Sequence, residues 1–380
     1  MLKSYEITNF KSFKNPTTID LTTTSYELLT DRNTKDGILK GLLFVGANAS
    51  GKSNAIIAMR FLLDLLFKNE EINIGAYQCL FCDDSVIQLR YTFSVGESEI
   101  IYAIGFDLER GCTYERLSSD GQVLLEREGS YAKVTIDTPT EHNNLPEEIL
   151  FLREIYFSTK FRGNSTLQLW FEELRNSVYF DLYKPEGRRY INADLELPEY
   201  LKKNGADRIN TFFQMYRFDQ SVEYAKKVVG THFTFSTESD EKYIFFKRHS
   251  INEPIPYDME SLGNQNLLRL LPAIFHCLDN NGILLIDEFS SGFHNDLERL
   301  LVRYFMQESK GAQLIFVSHS TNLLSMGLLR PDQIYTVDFD DDGSRLNRVS
   351  DENPRPSQNM EKMYLSGRFN GVPNYENHIE

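Results

Sequence analysis

The segment Gly46-Ala47-Asn48-Ala49-Ser50-Gly51-Lys52-Ser53 constrains the fold more than any other stretch of this chain. It matches the pattern GxxxxGK(S/T) in full, and it lies between an apolar run at residues 38–45 and a helical stretch whose apolar residues run from Ile56 to Leu66. In such a strand–loop–helix unit the glycines let backbone N–H groups turn inward around phosphate oxygens. The sequence therefore predicts a P-loop in an α/β fold.

Each part of this loop has a predicted role in binding ATP. We expect Lys52 to pair with the β- and γ-phosphates and Ser53 to hold Mg²⁺. The helix that follows presents its N-terminus to the anion. The residues predicted to bind ATP are Gly46, Asn48, Gly51, Lys52, Ser53 and Asn54.

A second motif, far along the chain, completes the predicted chemistry. Residues 283–286 are all apolar and end at Asp287 and Glu288, which is typical of a buried strand with two carboxylates at its tip. We expect Asp287 to organise Mg²⁺, and Glu288 to orient or deprotonate the attacking water as general base. Adjacent acidic residues are common on surfaces, but an acidic pair that ends a buried strand in a P-loop chain favours function.

Two shorter segments indicate the subclass. The stretch Ser261-Leu262-Gly263-Asn264-Gln265 is a degenerate match that resembles the ABC signature motif, whose serine and glycine bind the γ-phosphate held by the opposite subunit. His319 follows an apolar run at residues 314–317 and resembles the ABC switch histidine, a third predicted catalytic residue beside Lys52 and Glu288. His294 falls where a D-loop would cross a dimer interface. A lone histidine is more often structural, and position in the chain favours function here.

The patterns predict an α/β fold with a mixed, mainly parallel core sheet, an antiparallel β subdomain and a helical insertion. Their order resembles that of an ABC-type ATPase head. Residues 1–144 are predicted as the N-terminal part of the head, residues 145–235 as the insertion and residues 236–380 as the C-terminal part. The insertion is predicted from apolar residues at near-helical spacing. These are Leu167, Trp170, Phe171, Leu174 and Val178. This segment does not sustain a heptad pattern, so we do not expect a long coiled-coil arm.

Charge and cysteine content narrow the possible partners. The chain has 40 basic and 55 acidic residues and a formal net charge of −15, which weighs against a surface coated for nonspecific DNA binding. A local basic patch is still compatible with this balance. Cys79 and Cys82 have a CxxC spacing, but a zinc site needs two more ligands, so we expect ordinary thiols. Charged residues interrupt the opening stretch and no apolar run reaches membrane-spanning length, so we expect a cytoplasmic protein without membrane association.

The motif order resembles the ABC-type ATPase heads of the RecF, SMC and OLD-type families. Residues 7–13, ITNFKSF, are similar to the element that opens those heads, and residues 364–373, YLSGRFNGVP, resemble the ending of OLD-like AAA-family ATPases. Such ATPases belong to bacterial anti-phage and abortive-infection systems, including two-gene systems of the PARIS type. The resemblance implies ATP and Mg²⁺ as cofactors, a homodimer or larger homo-oligomer, and a trigger that is DNA or a phage protein.

Two departures from the family pattern matter. A Q-loop glutamine has only weak candidates, Gln78 and Gln88. No TOPRIM nuclease pattern follows His319, so the resemblance implies a separate effector, such as a TOPRIM-type or other nuclease. The acidic cluster at residues 338–343 has a DxDxDG spacing, but Val349 occupies the position of the bidentate glutamate of a calcium loop, which favours a hairpin turn at Asp342-Gly343.

Four functions fit these patterns to different degrees. The leading hypothesis is an ATPase that sandwiches ATP between Lys52 of one subunit and Ser261 of another and so controls an effector. A non-hydrolysing scaffold bound to ATP is disfavoured by Glu288. A RecF-like DNA-repair clamp is ranked lower because of the acidic balance and the short insertion. A transporter ATPase ranks last because the signature is degenerate.

Overall fold

The computed structural model describes residues 1–69, 72–183, 193–236, 241–248 and 250–372. Its strands are β1 (Leu2–Thr8), β2 (Thr17–Asp20), β3 (Thr34–Lys35), β4 (Ile38–Leu39), β5 (Gly41–Gly46), β6 (Val86–Val95), β7 (Ser98–Asp107), β8 (Gly111–Ser119), β9 (Gln122–Glu128), β10 (Tyr131–Val134), β11 (Thr140–His142), β12 (Val178–Asp181), β13 (Ser221–Ala225), β14 (Lys227–Val229), β15 (Thr234–Ser236), β16 (Tyr243–Arg248), β17 (Ile251–Pro256), β18 (Ile283–Asp287), β19 (Gln313–Val317), β20 (Ile334–Asp340) and β21 (Gly343–Arg348). Its helices are α1 (Thr30–Asn33), α2 (Lys52–Phe67), α3 (Phe151–Thr159), α4 (Ser165–Arg175), α5 (Leu197–Asn204), α6 (Asp207–Met215), α7 (Leu262–Asn280), α8 (Asn295–Glu308) and α9 (Met360–Leu365).

The chain divides into two compact units. The first comprises Met1–Ile191, Cys277–Ser290 and Asn295–Glu380, and the second comprises Asn192–His276 and Ser291–His294. Residues 145–235, predicted as a helical insertion, contain helices α3 to α6 but also strands β12 to β14 and most of β15. Val178, predicted on a helix face, instead begins β12, because the run Val178-Tyr179-Phe180 is rich in β-forming side chains and pairs with β18.

A six-stranded sheet in the first unit carries the two main motifs. Its strand order is β12-β18-β19-β5-β20-β21. Neighbours from β12 to β20 pair in parallel, and only β20 and β21 pair antiparallel. Every residue of β5, β18 and β19 is buried, as expected for central strands covered on both faces. The prediction of a mixed, mainly parallel core sheet is confirmed.

An eight-stranded antiparallel sheet, in the order β11-β10-β9-β8-β7-β6-β1-β2, forms the other half of the first unit. In β6, buried apolar side chains alternate with more exposed polar ones, which is the pattern of a sheet with one covered face. Trp170 of α4 is fully buried and makes edge contacts with Phe93 and Tyr102 of this sheet. Helix α4 therefore covers the sheet, and the predicted antiparallel β subdomain is confirmed.

A buried ion pair fixes α3 to the same sheet. The side chains of Glu115 and Arg127 are fully buried and lie 3.8 Å apart. The Glu115 carboxylate accepts hydrogen bonds from the Tyr102 hydroxyl and from the N–H groups of Phe151 and Leu152, the first residues of α3. Since a helix N-terminus leaves N–H groups without helical partners, a carboxylate placed there satisfies them and favours the helix dipole.

The second unit has a small sheet of its own. Strands β13, β16 and β17 form a three-stranded antiparallel sheet, and β14 and β15 form a two-stranded ribbon. The aromatic rings of Phe212, Phe213 and Phe218 pack together, and Phe212 also contacts Phe275 of α7. These contacts form an apolar core within the second unit.

Three further predictions can be compared with the structure. The four cysteines are free thiols; Cys79, Cys112 and Cys277 are buried and Cys82 is half-buried. No helix within the described part of the chain is both long and apolar enough to cross a bilayer. The tail motif folds back so that the Tyr364 hydroxyl donates to the Gly371 carbonyl, while its last residue, Pro373, lies outside the described residues.

Candidate nucleotide-binding site

The predicted P-loop lies between a buried strand and a helix. Strand β5 ends at Gly46 and α2 begins at Lys52. Gly51 has a φ of 103°, a conformation that side-chain-bearing residues rarely adopt, and Gly46 packs so closely that an added Cβ would lie 2.4 Å from the Val337 carbonyl oxygen. Both glycines are therefore needed for the backbone to turn from the strand into the helix.

The Lys52 ammonium lies over its own loop. Its Nζ donates to the carbonyl oxygens of Gly46 at 3.1 Å and Ala47 at 2.6 Å, and the residue is buried. Burial lowers the pKa of Lys52, while the carboxylates of Glu288 and Asp287 act in the opposite direction. A positive charge held at the centre of the loop is suited to phosphate oxygens.

Ser53 and Asp287 meet although they are distant in the sequence. The Ser53 hydroxyl donates to Asp287 Oδ1 at 2.9 Å, because β5 and β18 end at the same edge of the sheet. Burial raises the pKa of Asp287, the nearby carboxylates of Asp181 and Glu288 raise it further, and the Ser53 bond opposes them. A hydroxyl and a carboxylate are oxygen ligands of the type that Mg²⁺ takes beside substrate phosphates, so these two residues fit that ion.

Glu288 and His319 form a second contact at this edge. His319 Nε2 lies 3.6 Å from Glu288 Oε1, and both side chains are about one-third exposed. Glu288 has a φ of 53°, and its N–H donates to Asp287 Oδ1. The His319 N–H in turn donates to the Ser290 hydroxyl. A carboxylate next to an imidazole, both open to solvent, can orient a water molecule and accept its proton.

Not all of the residues predicted to bind ATP face the loop in the same way. Asn48 is exposed at the loop tip, whereas the Asn54 amide donates to the Ser12 hydroxyl at 2.7 Å. Gln78 donates to the Asp84 carbonyl oxygen, and Gln88 lies on the solvent-facing side of β6. Asp340 and Gly343 pair across a tight turn, as the hairpin interpretation of the acidic cluster predicted, with Asp341 and Asp342 at the turn.

The signature-like segment belongs to the second unit. Ser261 precedes α7, and its hydroxyl accepts a bond from the Asn264 N–H at 3.4 Å. The N–H of Ser261 donates to the Glu260 carboxylate, which also accepts hydrogen bonds from the Arg248 guanidinium at both oxygens. Gly263 packs against the predicted D-loop, since an added Cβ would lie 2.6 Å from the Gly292 carbonyl oxygen. The close approach of Gly292 therefore leaves no room for a side chain at Gly263. His294 lies in the same unit.

Sequence patterns missed four residues at this edge. Ser12 and Ser344 contact the P-loop, while Tyr179 and Asp181 lie on β12 beside Asp287, with Asp181 directly opposite it in the parallel register. The Tyr179 hydroxyl is 3.5 Å from Asp287 Oδ2. The opening NFKSF element was a signal for Ser12. Nothing local in the sequence marks the other three.

The chain matches a known protein family over most of its length. A family model described as "AAA domain, putative AbiEii toxin, Type IV TA system" matches residues 42–325, which is about three quarters of the chain. The chain belongs to this AAA-domain family. No curated protein matches the chain.

Solved structures that resemble this family member in fold include heads of SMC proteins. It resembles an Smc head bound to the C-winged helix domain of ScpA, with a TM-score of 0.51 and 15% identity over 91% of this chain and 96% of that one. It is also similar to the SMC head domain from Thermotoga maritima, with a TM-score of 0.47 and 16% identity over 91% and 97% of the two chains. The family match and the likeness to the ScpA-bound Smc head together show an ABC/AAA-type ATPase fold, as predicted.

Proposed function

We propose that this protein binds Mg-ATP at the edge formed by β5, β18 and β19 and hydrolyses it. The observation that carries the proposal is the meeting of two motif pairs, Ser53 with Asp287 and Glu288 with His319, beside the Lys52 ammonium. A non-hydrolysing scaffold needs only the first pair. The second pair supplies the base and the imidazole that hydrolysis requires, so it favours turnover.

In this mechanism each residue has one task. Lys52 binds the β- and γ-phosphate oxygens through its ammonium, and the loop N–H groups and the α2 N-terminus bind the remaining phosphate charge. Ser53 and Asp287 would hold Mg²⁺, which would supply neutralisation of the phosphate charge. Glu288 orients the attacking water and accepts its proton, and His319 donates to the γ-phosphate oxygens.

The proposed biological role is control of a separate effector. ATP held by Lys52 of one subunit and by Ser261 and Gly263 of another would make subunit assembly depend on the nucleotide. Two comparisons support a partner. The matched family is described as containing a putative toxin, and the similar Smc head was solved bound to another protein. We infer a bacterial anti-phage system with a nuclease effector.

The first test is Lys52→Ala with Lys133→Ala as its matched control, since Lys133 is an exposed lysine on β10 that pairs with Glu141. We expect Lys52→Ala to lose Mg-ATP binding and phosphate release by at least about a hundredfold, and the control to keep both. Binding is measured by calorimetry and turnover by phosphate release. Unchanged turnover in Lys52→Ala contradicts the assignment of the site.

Assembly is tested with Glu288→Gln, in which hydrolysis stalls while ATP still binds. Its mass in solution is measured with and without Mg-ATP, alone and with the product of the neighbouring gene. A nucleotide-dependent shift to a dimer or larger species that retains the neighbour supports effector control. A constant mass without the neighbour rejects effector control and leaves the ATPase assignment to the Lys52 test.

A further inference from the structure

Three segments far apart in the sequence interlock at the P-loop through hydroxyl groups. The Ser344 hydroxyl at the start of β21 lies 2.6 Å from the Ser50 carbonyl oxygen and 2.6 Å from the Ser12 hydroxyl. The Asn54 amide on α2 lies 2.7 Å from the same Ser12 hydroxyl. We call Ser12, Asn54 and Ser344 the hydroxyl clamp.

One direction of hydrogen bonding satisfies every member of the clamp. A serine hydroxyl carries a single proton, so Ser344 donates to the Ser50 carbonyl oxygen and accepts from Ser12. The Ser12 hydroxyl then accepts a hydrogen bond from the Asn54 side-chain amide. The clamp is therefore a directed chain that ends on a backbone carbonyl of the P-loop.

That carbonyl determines where a phosphate-binding group points. The peptide unit between Ser50 and Gly51 is planar and trans, so its N–H points opposite to its C=O. With the Ser50 carbonyl drawn toward Ser344, the Gly51 N–H is turned away from the hairpin. In a P-loop, N–H groups that point inward bind phosphate oxygens. Ser344 thus sets the orientation of one such donor.

The hydroxyl clamp packs closely against Gly51 of the P-loop. An added Cβ on Gly51 would lie 2.1 Å from the Ser344 hydroxyl and 2.6 Å from the Ser12 hydroxyl. The hairpin is fixed in turn, because the Ser344 N–H donates to the Ser12 carbonyl oxygen at 2.7 Å. Gly343 has a φ of 95°, and a Cβ added there would lie 2.4 Å from that same oxygen. The P-loop therefore cannot relax locally without moving the hairpin.

We propose that Ser344 and Ser12 are positioning residues that hold the Ser50–Gly51 peptide in its phosphate-binding orientation, and so set the affinity for Mg-ATP. The inference rests on the proposed function, since it assigns a role within the same site. It acts on binding: the clamp touches none of Asp287, Glu288 and His319 through the contacts described above. Loss of the clamp should raise KM for ATP and leave kcat nearly unchanged.

The test is Ser344→Ala in the full chain, with Ser309→Ala as the matched control. Ser309 is also a buried serine whose hydroxyl donates to a backbone carbonyl at 2.6 Å, that of Ala312, after the end of α8. We expect Ser344→Ala to raise the Kd for Mg-ATP and the KM about tenfold, with kcat within about threefold of wild type. Ser309→Ala should leave both constants within about twofold, at a similar melting temperature.

A second variant keeps the inference testable if Ser344→Ala folds poorly. Ser12→Ala removes the middle of the chain, and the double variant should weaken binding by less than the product of the two single effects, because both act on one peptide unit. Equal Kd values for Ser344→Ala, Ser12→Ala and Ser309→Ala overturn the clamp but not the site. If the wild-type chain does not bind Mg-ATP, the proposed function and the clamp are both rejected.

Discussion

The Glu115–Arg127 pair under the eight-stranded sheet and the Lys52 and Asp287 side chains at the edge of the six-stranded sheet both place charge in a buried setting. At the first location the charges are matched. Glu115 receives three hydrogen bonds besides Arg127, and the Arg127 guanidinium donates to three backbone carbonyls, those of Gly129, Pro146 and Ile149.

At the second location charges of the same sign are crowded. Asp287 is buried between two other carboxylates, those of Asp181 and Glu288, and its pKa is raised as a result. Lys52 Nζ donates hydrogen bonds to two carbonyl oxygens of its own loop. Removing one partner of a matched buried pair leaves an uncompensated charge, whereas a crowded carboxylate needs a proton or a cation to relieve the repulsion. Buried charges with full partners therefore belong to the architecture, and buried charges crowded by like charges belong to the proposed chemistry.

The first prediction concerns ATP hydrolysis, which should depend on Glu288 at the edge of the six-stranded sheet. Glu288→Gln keeps the size of the side chain but removes the proton acceptor, so we expect kcat for ATP hydrolysis to fall about 10²–10⁴-fold. Mg-ATP binding should persist, because Lys52 and Ser53 are intact. Phosphate release and calorimetric binding measure the two properties separately. A loss of binding that equals the loss of turnover would contradict the role of Glu288 as a base.

The second prediction concerns stability at the matched pair. Arg127→Met removes a buried guanidinium and leaves the Glu115 carboxylate without its countercharge, so the free energy of unfolding should fall by about 3–5 kcal/mol. Urea unfolding followed by tryptophan fluorescence is suitable, because Trp170 contacts Tyr102 of the same sheet. Under conditions where the variant is still folded, the Kd for Mg-ATP should be unchanged.

The control for Arg127→Met is an ion pair on the exposed face of the same sheet. Arg116 and Glu126 lie 3.7 Å apart, and each side chain is more than half exposed. Arg116→Ala should change the free energy of unfolding by no more than about 1 kcal/mol. An equal loss in both variants would mean that burial does not determine the strength of these pairs, and the comparison between the two regions would fail.

The sequence predicts one part of the candidate site well and another part poorly, for a physical reason. Gly51, Lys52 and Asp287 lie in segments whose apolar pattern and turn chemistry act over a few neighbouring residues, so their places on a strand end or helix start follow from local rules. Ser344 and Asp181 reach the site only through strand order: β21 is joined to the sheet beside β20, and β12 lies beside β18. Strand order depends on pairing across hundreds of residues, and no local pattern specifies it.

The last prediction concerns stability at Asp287. A substitution there should stabilise the protein without nucleotide, whereas most substitutions destabilise a protein. Because burial and two neighbouring carboxylates raise the pKa of Asp287, the folded protein holds that proton more tightly than the unfolded chain does. The free energy of unfolding should therefore fall as the pH rises from the ordinary aspartate range through the raised pKa. Asp287→Asn removes this penalty, so at neutral pH the variant without nucleotide should melt a few degrees higher than wild type.

Adding Mg-ATP should invert that order, because the cation that relieves the crowding binds the wild-type carboxylate and binds the amide poorly. Differential scanning fluorimetry at several pH values, with and without Mg-ATP, measures both arms. As a control, Asp341→Asn changes an exposed carboxylate in the turn between β20 and β21 and should shift neither melting curve. If Asp287→Asn lowers the melting temperature without nucleotide, Asp287 stabilises the fold as Glu115 does, and the contrast between the two regions is wrong.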